Sequence, residues 1–158
     1  MNETIAEFDD AIASVVAEHP DASIFASLPG VGSILTAVLV AEIGEDRSRY
    51  PTPQSLLAEA GLAPVTRSSG RSHSVRFRYA ANRRLREASM WWAFNSLKTS
   101  PWAEAAFRQA RDERGQHYHR ALRGLAARWM RVAWRCWQDG VAYDPALHTG
   151  ASVLERSA

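Results

Sequence analysis

Outside one stretch, the apolar residues of this chain recur at three- and four-residue steps between proline and glycine breaks, which confines it to a mainly α, small helical domain. Ile5, Phe8, Ile12 and Val15 or Val16 mark an amphipathic helix that His19-Pro20 ends. Asp21 is expected to cap a short helix through Ser27, and Leu28-Pro29-Gly30-Val31-Gly32 to turn the chain into a second helix from Ser33 to Ile43, stopped by Gly44. Thr52 and Pro53 open a helix that Gly61 closes, in keeping with proline at helix starts and glycine at helix ends. Asn82 to about Lys98, with Leu85, Ala88, Trp92 and the neighbouring Met90, Phe94 and Leu97 as its buried face, Ser100-Pro101 to Gly115, and His117 to Gln138 complete the set. Only residues 63–79 lack the helical period, and the alternation of Ser74 to Tyr79 predicts a short β-hairpin or an irregular catalytic loop.

Charge is divided unevenly along the chain. Residues 1–46 hold nine acidic side chains and no Lys or Arg, whereas residues 47–135 hold eighteen basic and five acidic ones. Eighteen of the nineteen basic residues are arginine, whose planar fork matches two phosphate oxygens, although a GC-rich genome enriches arginine as well. Such a basic body points to a nucleic-acid partner. Cys136 is the only cysteine, so no internal disulfide or cysteine-based zinc site can form and a reducing compartment, the cytoplasm, is expected. The first twenty residues have no export signal and no apolar run is long enough for a membrane span.

The chemistry concentrates between Ala63 and Arg86. Arg67, Arg71, Arg76, Arg78, Arg83, Arg84 and Arg86 fall there without one Asp or Glu, around the serines Ser68 and Ser69. A serine hydroxyl is a weak nucleophile, and surrounding guanidinium groups can stabilise its oxyanion and brace a phosphodiester. Serine and glycine are also ordinary turn residues, so the residues alone leave Ser68 and Ser69 as either nucleophiles or bystanders. His73 reads as a solvated loop residue or a base, and His117 with His119 as surface, because their spacing suits no metal pair. No metal ligand set is expected, and no carboxylate-pair active site, because the acidic residues of 1–46 read as lying on helix surfaces. The six tryptophans, at helical spacing, read as core or interface. Leu28 to Gly32 with Ala37 resembles a helix-hairpin-helix motif over residues 21–44, whose Gly30 and Gly32 amides would hold a DNA phosphate at a helix start.

Taken in order, Leu28-Pro-Gly-Val-Gly32, Ala41-Glu-Ile-Gly44, Ala60-Gly-Leu-Ala-Pro64, Ser69-Gly70, Asn82-Arg-Arg-Leu-Arg86 and Tyr143-Asp-Pro145 resemble the C-terminal transposase domain of the IS110/IS116/IS902-type insertion-sequence transposases, to which the Piv-type DNA invertases are similar. The resemblance spans about Ile24 to Pro145. It implies a serine, here Ser69 with Ser68 as fallback, that attacks DNA and forms a phosphoserine link during DNA transposition. It implies a guide RNA as partner, and an N-terminal RuvC-like domain carrying a four-carboxylate metal site, where Mg2+ would bind, joined through a coiled coil. That domain has no counterpart in this chain, so no cofactor is expected here. Residues 1–20 would be the end of the linking helix, 21–145 the serine transposase domain and 146–158 a tail. The expected partners are DNA and either a second copy or a RuvC-like domain partner. The alternatives are a non-catalytic helix-hairpin-helix nucleic-acid module or truncated remnant, and a protein-binding adaptor using the tryptophan-rich helices.

Overall fold

A computed structural model describes residues 2–146, and within them the side chains of residues 2, 66–69, 72 and 73 lie outside the description. Seven helices and one two-stranded ribbon follow in the order α1 (Asn2–Ala17), α2 (Ala22–Ala26), α3 (Ser33–Ile43), α4 (Pro53–Glu59), β1 (Val65–Ser69), β2 (Ser72–Arg76), α5 (Arg83–Thr99), α6 (Pro101–Asp112) and α7 (Tyr118–Asp139). The fold is therefore mainly α, as the periodicity requires. Residues beyond 146, which contain most of the expected tail, lie outside the described residues.

Local chemistry sets most helix ends. The Thr52 and Ser55 side chains and backbones satisfy one another in a capping box ahead of Pro53. Asn82 Oδ1 accepts the Leu85 N–H at 3.0 Å, and Ser100 Oγ accepts that of Ala103 at 3.3 Å, each filling an otherwise orphaned donor of a first turn. Gly140, at φ 66°, closes α7 in the left-handed conformation that glycine adopts without strain.

Packing centres on α5 and α7. Trp92, Trp129 and Trp137 are fully buried, and Trp92 stacks on Trp129 with ring centroids 5.3 Å apart. Trp102 from α6 meets Trp129 edge-on at 4.9 Å. Helices α3 and α4 cover this layer, with Leu39, Ile43, Leu56 and Leu57 buried, while α1 lies outermost against α2 and α3 and leaves Ile5, Phe8 and Val15 exposed. Among the described residues no helix is long and apolar enough to cross a membrane.

Three local expectations need correction. Asp21 does not cap α2: its carboxylate is buried, takes Arg47 Nη2 at 2.7 Å and Trp137 Nε1 at 3.0 Å, and so ties the chain between α3 and α4 to the end of α7. The acidic residues of 1–46 are thus not all on helix surfaces. Phe94, placed on the buried face of α5, is 39% exposed beside Trp91. The hairpin arms lie earlier than the 74–79 alternation suggests, because β2 ends at Arg76 and the partner strand is the serine-bearing segment.

Asp21→Ala strands the buried Trp137 indole N–H and removes the carboxylate from Arg47, whose side chain is 36% exposed and keeps its Nε bond to the Trp137 carbonyl at 2.9 Å. We expect a loss of about 2–4 kcal/mol in urea unfolding. A loss below about 0.5 kcal/mol, the level of ordinary surface substitutions, would contradict the role assigned to this carboxylate.

Candidate nucleic-acid interface

The serine-rich segment forms the outer end of a tight antiparallel ribbon. Val65 pairs with Arg76, Thr66 with Val75, Arg67 with Ser74, Ser68 with His73 and Ser69 with Ser72, leaving Gly70 and Arg71 as a two-residue turn. Gly70 has φ 55°, and Arg71 has no positive φ, the arrangement in which glycine takes the first central position of a hairpin turn. Strand alternation gives positions 67, 69, 74 and 76 one side of the ribbon and 66, 68, 73 and 75 the other. Ser69 therefore shares its side with two arginine positions, and Ser68 with His73. The side chains of Arg67, Ser68, Ser69 and His73 are among those outside the description, so their placement is that of the backbone alone.

The base of the ribbon is anchored by arginine. Arg86, from the first turn of α5, donates through Nη2 to the Arg78 carbonyl at 2.7 Å and lies 4.7 Å from the Phe77 ring centre. Arg123 of α7 lies 4.6 Å from the same ring, so Phe77 has a guanidinium from each of two helices. Arg78 Nε donates to the Ala63 carbonyl at 3.3 Å. Gly61, at φ 65°, is required here, because a Cβ would collide with the Arg86 guanidinium. Arg78 and Arg86 are thus half-buried and committed to holding the ribbon, whereas Arg71, Arg76, Arg83 and Arg84 are exposed.

Charge around α5 is less one-sided than the sequence suggests. Glu42 of α3 accepts the Asn82 side-chain amide at 2.6 Å, across forty residues of chain, and lies 3.9 Å from Arg84 Nη1 in an ion pair. Arg83 and Arg84 still crowd the positive end of a seventeen-residue helix, where an anion is favoured and a cation is not.

The two hairpin glycines differ in their surroundings. Gly30, at φ 80°, packs on α5, where a Cβ would lie 2.8 Å from the Ser96 backbone nitrogen, and the neighbouring Pro29 carbonyl accepts Trp92 Nε1 at 2.8 Å. Gly32 is exposed at the start of α3 with nothing within 4 Å of a Cβ position. No group of three or more His, Cys, Asp or Glu residues suited to a metal ion occurs among the described residues.

Sequence reasoning missed the division of labour among the arginines and the entry of α7 into the site through Arg123. A signal existed for the second, because Arg120, Arg123 and Arg131 recur on α7 at helical spacing.

Fold and surface together define a small helical protein that projects a serine-bearing hairpin beside exposed arginines. The family model for the transposase IS116/IS110/IS902 family matches residues 22–108, more than half of the chain. The chain is 41% identical over 134 residues to a mini-circle putative transposase for IS117 from Streptomyces coelicolor, covering 85% of this chain and 32% of that protein. It is 33% identical over 153 residues to an uncharacterized 42 kDa protein of insertion element IS900 from Mycobacterium paratuberculosis, covering 96% of this chain and 38% of the relative. An uncharacterized 43.6 kDa protein of insertion element IS110 from Streptomyces coelicolor is 32% identical over 143 residues, with 90% and 35% covered. The chain belongs to the IS116/IS110/IS902 transposase family, and it spans about a third of the length of these relatives.

Arg86→Met keeps the aliphatic stem but removes the bond to the Arg78 carbonyl and the contact with Phe77. We expect amide hydrogen exchange of residues 65–76 to accelerate about tenfold or more, while the α5 and α7 core stays protected. Unchanged exchange in the ribbon would show that Arg86 does not hold it.

Proposed function

We propose that this chain is the part of an insertion-sequence transposase that binds DNA and supplies a serine nucleophile, Ser69, to a DNA phosphodiester. The observation that carries the reading is the ribbon itself, in a chain whose family is that of transposases. A two-residue turn sets the Ser69 position at the outer end of a hairpin anchored at its base, with Arg71, Arg76, Arg83 and Arg84 exposed nearby. Ser68, one register position further in, is the fallback nucleophile.

In the step proposed, the Ser69 hydroxyl oxygen bonds to phosphorus as one phosphorus–oxygen bond to deoxyribose breaks. The hydroxyl proton ends on the departing deoxyribose oxygen. One phosphate ester replaces another, so reversal onto a different DNA end needs no external energy source. The arginines neutralise the phosphate and stabilise charge that builds on its oxygens. The helix-hairpin-helix reading of residues 21–44 adds a second, sequence-blind phosphate contact at the exposed Gly32 amide, with Gly30 serving mainly to seat the turn on α5. A guide RNA, and either a RuvC-like domain with its metal ions or a second copy of the chain, are the further partners this reading calls for.

The test is covalent trapping on labelled DNA carrying an element junction, with a RuvC-like partner and guide RNA from a related full-length transposase supplied. A protease-sensitive adduct that disappears in Ser69→Ala and survives in Ser68→Ala is the expected result. An adduct that survives Ser69→Ala moves the nucleophile elsewhere. Salt-sensitive binding with no adduct would leave the non-catalytic nucleic-acid module as the better description.

A further inference from the structure

Beside the hairpin base a cleft of about 530 Å³ opens between the ribbon and α7, with Arg76 and Arg78 on one wall and Arg120 and Arg123 on the other. A second cleft of about 300 Å³ adjoins it, shares Leu62, Pro64 and Gln116 with the first, and adds Arg114, Arg128 and Arg131. Among the described residues no Asp or Glu lines either cleft. The two clefts therefore form one arginine-walled groove, and positions 120, 124, 127 and 131 follow one face of α7 along its floor for roughly 17 Å.

Gly124 is the second, independent sign of a ligand. It stands inside a 22-residue helix, where glycine is among the poorest helix formers. Nothing in the fold requires it, since a Cβ there would meet no atom within 4 Å. It lies in the floor of both clefts, between the arginine pairs, and is exposed. A bare backbone at such a point lets a partner approach the helix more closely than any side chain would allow.

We propose that this groove holds the sugar–phosphate backbone of a single nucleic-acid strand, apart from the strand that reacts at the hairpin tip, with Gly124 as its point of closest approach. The inference rests on the nucleic-acid reading of the chain and extends it to a second tract. Arg76 on one wall and Arg120 on the other, with Arg131 further along α7, offer forks to the phosphate oxygens without reading sequence. DNA and RNA strands carry the same phosphodiester, so the chemistry is shared by both.

The test measures fluorescence anisotropy of labelled single-stranded DNA and, separately, RNA of matching sequence with the full chain. Gly124→Leu fills the floor without changing charge and improves helix propensity. Arg120→Gln with Arg131→Gln removes one charge from each end, and Arg135→Gln is a control on the same helix. We expect Gly124→Leu and the double variant each to weaken binding about tenfold, Arg135→Gln to change it less than about twofold, and Gly124→Leu to melt no lower than the parent. The arm showing the loss, DNA or RNA, identifies the strand. Parental binding by either groove variant overturns the groove while the Ser69 reading stands. Failure of the parent chain to bind DNA or RNA overturns the groove and the nucleic-acid reading together.

Discussion

The stack of Trp92 on Trp129 is the contact on which the rest of this small structure depends. Both rings are fully buried, and each indole N–H is spent on a different neighbour: Trp92 donates to the Pro29 carbonyl and Trp129 to Ser96 Oγ at 2.8 Å. One pair of side chains thus fixes α5 against α7, seats the Leu28–Gly32 turn on α5, and receives Trp102 from α6 and Tyr143 from the segment after α7. Large aromatic burial of this kind dominates core energetics, and the two satisfied N–H groups make it directional as well. Because α5 carries Arg86 and α7 carries Arg123, the same contact sets the distance between the two guanidinium groups that grip Phe77.

That geometry anchors a short ribbon outside the helical body. A two-stranded hairpin is marginal in water by itself, so its stability has to come from its base. Here the base is a set of charged donors to backbone carbonyls and to one ring. Arginine therefore has two roles within twenty residues of sequence: Arg78 and Arg86 build the mount, and Arg71, Arg76, Arg83 and Arg84 remain available to an anion. The groove along α7 continues the second role on the other side of the mount. A polyanion meeting this surface would find positive charge from three elements around one projecting turn.

Helix positions and most caps were legible in the sequence because proline, glycine, serine and asparagine act through near neighbours. Thr52-Pro53, Asn82 and Ser100-Pro101 behave as their local chemistry dictates. What escaped were the partners far along the chain. Asp21 looks like an N-cap by position, and only the fold brings Arg47 and Trp137 to it. Glu42 looks like an obstacle to anion binding, yet it is turned toward Asn82 and Arg84. The hairpin was legible as a break in helical period, but not its register, since alternation in a ribbon exposed on both sides is weakly marked. The serine motif was recognisable by resemblance, whereas the separation of mounting arginines from exposed ones required the packing of α5 and α7 to be known.

The most direct measurement is the salt dependence of binding of the intact chain to duplex DNA. If the four exposed arginines around the hairpin engage phosphates, the logarithm of the binding constant should fall with the logarithm of salt concentration at a slope of about −3.6 or steeper. A slope near zero, with binding retained at high salt, would contradict an arginine-held phosphate backbone as the ligand of this surface.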